Sequence, residues 1–175
     1  MTESKPNLTI QEIITAIKNR FSTETYELCK EVSLIVAPEK IITICQILRD
    51  EFHFELLAEE TAVDYWPEQE PRFHVIYRLR SIKHNLILGL RVPLNGNAPL
   101  LPTLVGVYKN ANWFEREIWD MFGIRFEGHP DLRRVIMPYD WEGHPLRKDY
   151  PLGYEEVQYS FNFDEIDIRK PYAKE

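Results

Sequence analysis

The spacing of apolar residues changes along this chain from the 3.6-residue period of helices to the two-residue period of strands, and that change limits the folds open to it. Ile10, Ile13, Ile14, Ile17 and Phe21 share one helical face. Thr9 in front of them is a good N-cap, and Glu12 three residues later completes a capping box. The polar stretch from Ser22 to Glu31 reads as a gap. The β-branched run from Val32 to Val36 then reads as a buried strand. Pro38 suits the first turn of a second helix, whose stripe is Ile41, Ile44, Cys45, Leu48 and Phe52. Beyond it the pattern alternates. The segment from Thr61 to Trp66 does so weakly. Phe73, Val75, Tyr77 and Leu79 alternate with His74, Arg78 and Arg80, and Leu86, Leu88, Leu90 and Val92 with Ile87, Gly89 and Arg91. Lys83, His84 and Asn85 between the last two runs are few enough for a hairpin. Helix, strand, helix and then several strands predict an α+β two-layer domain, with helices on one face of a mixed or antiparallel sheet. A short helix and an extended C-terminal arm are expected to follow. Residues 1–123 would form the α+β domain including that short helix, and residues 124–175 an irregular, partner-docking segment. The stretch from Asn95 to Pro102 reads as a loop by its turn residues.

Charge narrows the function. A formal net charge of -7 disfavours general binding to phosphate backbones, so no nucleic-acid partner is expected. The sequence has no run of about 18 uncharged apolar residues that would span a bilayer. The first residues lack a basic segment followed by an apolar one, so no secretory leader is expected and a cytosol-like compartment is the default. Cys29 and Cys45 are too far apart for a C-x-x-C motif and read as free thiols. Two cysteines do not supply the four ligands an iron–sulfur cluster normally takes.

The information is densest between Asn110 and Pro151. Asn112 is placed to cap a short helix, with Glu115 completing a box. Phe114, Ile118, Met121 and Phe122 form its apolar face, and Gly123 is the natural stop. The other face carries Glu115, Arg116, Glu117 and Asp120, beside Trp113 and Trp119. Arg116 and Asp120 lie one turn apart, where an exposed pair contributes only about 0.3–0.5 kcal/mol. So weak a gain does not account for the crowding of charge, and a partner surface and a solvated face both remain open. Two basic pairs follow, Arg133-Arg134 and Arg147-Lys148, near Asp131, Asp140, Glu142 and Asp149. Guanidinium forks suit bidentate carboxylates, so these residues are expected to tie the segment to itself or to a neighbour. Pro130, Pro138, Pro145 and Pro151 keep it out of long helices. Met137, Tyr139 and Trp141 are candidate anchors on a neighbouring surface.

His129 and His144 invite a metal or a His–carboxylate hydrolytic site, but neither H-E-x-x-H nor G-x-S-x-G spacing accompanies them. Glycine-rich phosphate-binding motifs are likewise missing from the sequence. Near the end, Tyr159, Phe161 and Phe163 alternate with Ser160, Asn162 and Asp164. That period fits an edge strand of the chain's own sheet or an extended arm across another protein.

The run from Glu115 to Ile124 (EREIWDMFGI), with His129 to Ile136 (HPDLRRVI), resembles the signature of the C-type, or 30 kDa, subunit family of respiratory complex I. The run from Asp140 to Pro151 (DWEGHPLRKDYP) resembles its second hallmark. The resemblance implies a soluble peripheral-arm subunit of a proton-translocating NADH:quinone oxidoreductase. In that family the subunit is a cofactor-free scaffold beside the quinone-site (D-type) and iron–sulfur (B- and I-type) subunits. FMN, the iron–sulfur clusters, NADH and quinone belong to other subunits. No catalytic, cofactor or metal residues are therefore expected here, and the location would be the cytoplasmic side of the membrane. The tail after Pro151 looks more like the free-standing bacterial form than the J-type form of the photosynthetic complex. The resemblance implies a partner interface at Trp113, Glu115, Arg116, Glu117, Asp120, His129, Arg133, Arg134, Trp141, His144, Arg147, Lys148, Tyr159, Phe161 and Phe163. The alternatives are the equivalent scaffold of a membrane-bound hydrogenase or ferredoxin-linked complex, and a free-standing metal-dependent hydrolase.

Overall fold

The computed structural model describes residues 9–28 and 31–150. Helix α1 (Ile10–Phe21) opens on the expected capping box: Glu12 N–H donates to the Thr9 hydroxyl at 3.4 Å, and Thr9 N–H to the Glu12 carboxylate at 2.9 Å. It buries Ile13, Ile14 and Ile17. The polar gap is in fact partly a strand, β1 (Glu24–Leu28), which pairs antiparallel with β2 (Glu31–Ile35). Pro38 starts a short 3-10 turn, and α2 (Ile41–Asp50) follows it, burying Ile41, Ile44, Cys45 and Leu48.

Three long strands complete the main sheet: β3 (Leu56–Asp64), β4 (Phe73–Ser81) and β5 (Leu86–Leu94). The order is β1-β2-β5-β4-β3, with β2 and β5 parallel and the other neighbours antiparallel, so the sheet is mixed. Successive side chains in a strand point to opposite faces. Phe73, Val75, Tyr77, Leu79, Leu88, Leu90 and Val92 bury one face in a core shared with the inward residues of α1 and α2. The opposite face carries His74, Ile76, Arg78, Ile87, Gly89 and Arg91. This is the expected α+β two-layer arrangement.

The stretch read as a loop ends in a short strand, β6 (Leu100–Pro102). Helix α3 (Ala111–Phe122) crosses from there to β7 (Arg125–Glu127), which pairs parallel with β6. α3 packs against β3, where Tyr108 O–H donates to the Phe54 carbonyl and Asn110 Nδ2 to the Leu57 carbonyl. Residues 128–150 contain neither helix nor strand. Cys29 and the aromatic alternation at Tyr159, Phe161 and Phe163 lie outside the described residues.

Candidate functional site

The last carbonyls of a helix lack intrahelical donors and must find others. At the end of α3 the returning irregular segment supplies them. Asp120 O accepts from His144 Nδ1 at 3.0 Å, Met121 O from Leu146 N–H at 3.0 Å, and Phe122 O from Arg147 Nε at 2.6 Å. The guanidinium of Arg147 also suits the negative end of the helix dipole. Gly123 closes the helix at φ 73°, as the sequence predicts. Glycine is required there for a second reason: a Cβ at this position would stand 2.5 Å from the His144 ring.

Asp120 fixes the segment from inside. Its side chain is wholly buried, and one oxygen accepts the N–H groups of Val135, Ile136 and Met137 at 3.1, 2.8 and 2.9 Å. The other oxygen pairs with Arg134, whose Nη2 reaches on to the carbonyls of Trp141 and Gly143 at 2.8 and 3.0 Å. Burial alone would raise the pKa of this carboxyl. The three backbone donors and Arg134 outweigh it, and the net direction is downward. Arg116 stacks on Trp113 and donates Nε to the Arg133 carbonyl at 3.1 Å.

A second clamp joins the same segment to the sheet. Arg72 forks onto Asp64 with two bonds of 2.9 Å and donates Nη1 to Asp149 at 2.9 Å. Asp64 also accepts the N–H groups of Trp66 at 3.0 Å and Lys148 at 2.9 Å. The Arg72–Asp64 pair is buried, with side chains only 5% and 1% exposed. Its guanidinium lies between the rings of Trp66 and Phe73.

A third polar group sits beneath α3. Glu115 accepts from Leu104 N–H at 2.6 Å and from the Thr103 hydroxyl at 2.5 Å. Burial pushes its carboxyl up to about 7 against those two bonds. Glu60 on β3 is also buried, and it stands opposite Tyr77 on β4. The two groups face each other, and the Glu60 oxygens and the Tyr77 hydroxyl have no other partner among the described residues. Burial, and then the nearby Glu115, push Glu60 well above the usual carboxylate range. A raised folded pKa gives stability that is full below the unfolded value and is lost as pH rises through the folded one. The fold should therefore weaken from pH 5 to pH 8. Glu60→Gln should flatten that slope by up to about 1.4 kcal/mol per pH unit. Urea midpoints at the two pH values measure it, and an unchanged slope in the variant contradicts the assignment.

Several sequence expectations need correction. Asn112 does not cap α3, because the helix begins at Ala111 after Asn110, and no side chain caps it. Glu115, Arg116 and Asp120 are not on an exposed face. They are buried within the chain, covered by residues 103–104 and 133–137. Arg116 and Asp120 therefore take separate partners rather than each other. The His129 side chain is buried too; its Nε2 donates to the Asn112 carbonyl and its Nδ1 accepts from Asp131 N–H. His144, Arg134 and Arg147 are half-buried in internal bonds. Among the described residues no group of three or more His, Cys, Asp and Glu side chains is placed to hold a metal ion, and no helix is long and apolar enough to cross a membrane. Glu117, Arg133 and Lys148 are exposed, as is Trp113, at 62%. Trp141 is half-buried. Sequence reasoning missed the exposed Val135, Ile136 and Leu146, and the buried pair Asp64–Arg72. Tyr139, one of the expected anchors, is 94% exposed.

Comparison with known proteins identifies a family and similar folds. A model of the family described as "Respiratory-chain NADH dehydrogenase, 30 Kd subunit" matches residues 34–156. The chain is 48% identical over 147 residues to the C-type subunit of the NADH-quinone oxidoreductase of Roseiflexus sp. (strain RS-1), covering 83% of this chain and 84% of the relative. It is 43% identical over 139 residues to the corresponding NADH-quinone oxidoreductase chain of Geobacter sulfurreducens, covering 78% and 86%. Among solved structures, it is similar to one described as Nqo5 of a trypsin-resistant fragment, with 27% identity, a TM-score of 0.62, and coverage of 70% of this chain and 98% of that one. A chain of the membrane-bound sulfane sulfur reductase, an archaeal respiratory membrane complex, matches with 26% identity and a TM-score of 0.68, covering 79% and 84%.

Proposed function

Because the chain belongs to the respiratory-chain NADH dehydrogenase 30 kDa subunit family, we propose that it works as a non-catalytic docking subunit in the peripheral arm of an NADH-quinone oxidoreductase. One observation carries the reading. A 23-residue stretch without helix or strand, residues 128–150, is fixed by buried carboxylate clamps and still turns large apolar side chains outward. Ordering such a stretch costs roughly 1–2 kcal/mol of backbone entropy per residue. A fold that invests so many internal bonds in an irregular segment presents Ile136, Tyr139 and Leu146 in fixed positions, beside Trp113 on α3. Rigid aromatic and aliphatic anchors of this kind dominate binding at protein interfaces.

In this reading the docking surface comprises Trp113, Glu117, Arg133, Trp141 and Lys148 together with those apolar residues. Tyr159, Phe161 and Phe163 are proposed as further contact residues. Glu115, Arg116, Asp120, His129, Arg134, His144 and Arg147 act from behind, holding the surface in shape. The subunit binds no cofactor. FMN, the iron–sulfur clusters, NADH and quinone sit on neighbours, and the partners are the quinone-site (D-type) and iron–sulfur (B- and I-type) subunits. The complex holds the chain at the cytoplasmic side of the membrane. Relatives sharing 43–48% identity are NADH-quinone oxidoreductase subunits, which favours that complex over the sulfane sulfur reductase type at 26%. Purifying the tagged chain from its host in mild detergent tests the proposal. Stoichiometric recovery of quinone-site and iron–sulfur subunits is expected. Recovery of a nickel-containing partner, or of the chain alone, contradicts it.

A further inference from the structure

A groove of about 440 Å³ lies on the sheet face opposite the core, lined by Ile76, Ile87, Arg78 and Arg91, by Glu31, and by Ile10 at the start of α1. Gly89 also lines it, packed so closely on the neighbouring strand that a Cβ there would clash with the Ser33 hydroxyl. The two arginines differ sharply. Arg78 is half-exposed and already paired, to Glu31 at 2.7 Å and Glu59 at 3.6 Å. Arg91 is only 8% exposed, yet no carboxylate among the described residues pairs with it. Its guanidinium stacks on Tyr26 at 4.1 Å and donates to the Tyr65 hydroxyl at 3.2 Å.

Among the described residues no carboxylate pairs with Arg91, and stacking on one ring offsets only part of its charge. The same neighbourhood holds a second unmet group. His74 packs edge-on against Tyr65, and its Nδ1 is buried without a partner among the described residues. Burial, and then the charge of Arg91, hold its ring below the usual histidine pKa. Glu31 lines the groove but pairs with Arg78, so among the described residues no carboxylate is left for Arg91.

We propose that this groove receives a segment of a neighbouring subunit that presents an Asp or Glu between apolar residues, its carboxylate pairing with Arg91 and its apolar side chains lying against Ile76 and Ile87. A small inorganic anion would satisfy the charge and leave the apolar walls wet. A purely apolar segment would leave the guanidinium unpaired. Only a peptide carrying both features meets the whole groove. That the segment comes from another subunit rests on the function proposed above.

The test uses the tagged chain within its assembled complex, with Ile87→p-benzoylphenylalanine as a photo-cross-linking variant. Ile87 is 51% exposed, so the replacement leaves the core alone. After irradiation, the cross-linked peptide is sequenced. The expected product is a peptide from another subunit of the complex with an Asp or Glu within a few residues of the adduct. Its yield per assembled complex should drop at least about tenfold when Arg91→Gln is added, with Arg91→Lys retaining more of it. Four results overturn the proposal: an adduct to another part of this chain, residues 1–8 and 151–175 included, a peptide without an acid, no adduct in an assembled complex, or a yield indifferent to Arg91. A chain that purifies without oxidoreductase subunits defeats the functional reading as well, so the two failures are told apart at the purification step.

Discussion

Asp120→Ala is expected to destabilise the isolated chain by about 3–5 kcal/mol, the usual cost of removing one partner from a buried ion pair. The substitution strips the N–H groups of Val135, Ile136 and Met137 of their acceptor and leaves Arg134 without its carboxylate. Buried donors left unmade cost about 1–3 kcal/mol each, so partial resolvation of the segment must absorb some of the loss. The damage should be local first: hydrogen exchange at residues 135–137 should accelerate before that of β4 or β5. Asp120 has a depressed pKa, so its contribution is present above the ordinary carboxylate range and is lost as pH falls through the folded value. The gap between variant and parent should therefore narrow in acid. Asp131→Ala is the control. Its pair with Arg133 is exposed, with side chains 52% and 72% accessible, and its loss should stay within about 0.5 kcal/mol. A loss below about 1 kcal/mol for Asp120→Ala would mean that the carboxylate is not the organising group.

Asp64→Ala should be of similar size, about 3–5 kcal/mol, for the same reason. Arg72 would keep only Asp149, whose side chain is 36% exposed, and the N–H groups of Trp66 and Lys148 would lose their acceptor. Here the signature should differ. Protection should fall at residues 147–150 and at the ends of β3 and β4, because this clamp ties the segment to the sheet rather than to α3. The two clamps hold the same stretch of chain. Once one has released it, the other holds less, and the double variant should lose less than the sum of the singles by about 0.5–3 kcal/mol. Additive losses would show that residues 128–150 are two independent pieces. Urea unfolding of the four proteins of the cycle measures this.

What was legible in the sequence follows from what periodicity encodes. The capping box at Thr9 and Glu12, the stripes of α1 and α2, the alternation of β4 and β5 and the stop at Gly123 are local signals, and each has its expected place in the fold. β1 was hidden because it is an edge strand whose Glu24, Thr25 and Glu27 remain exposed, leaving no apolar alternation to read. The β6–β7 pair was hidden because three-residue strands carry no period, and their pairing arises only when α3 brings distant residues together. The charged face of α3 was misread for a related reason. Periodicity says which residues share a face, not what returns to cover it. Glu115, Arg116 and Asp120 are covered by backbone 11 to 18 positions away, and Asp64 meets Lys148 across 84 positions. No sequence window contains such contacts. The motif between Glu115 and Pro151 was nevertheless legible as a family signature. Its buried members are explained by these internal clamps, and its exposed members are the ones proposed to meet partners.

The most direct test separates assembly from turnover. Trp113→Ala and Ile136→Asp alter exposed side chains and should leave the isolated chain folded. In the host, native gels should show the fraction of assembled oxidoreductase falling by roughly tenfold or more, as when interface anchors are removed. Quinone reductase activity per assembled complex should stay unchanged. Full assembly with abolished turnover in these variants would contradict a docking role and place the chemistry on this chain.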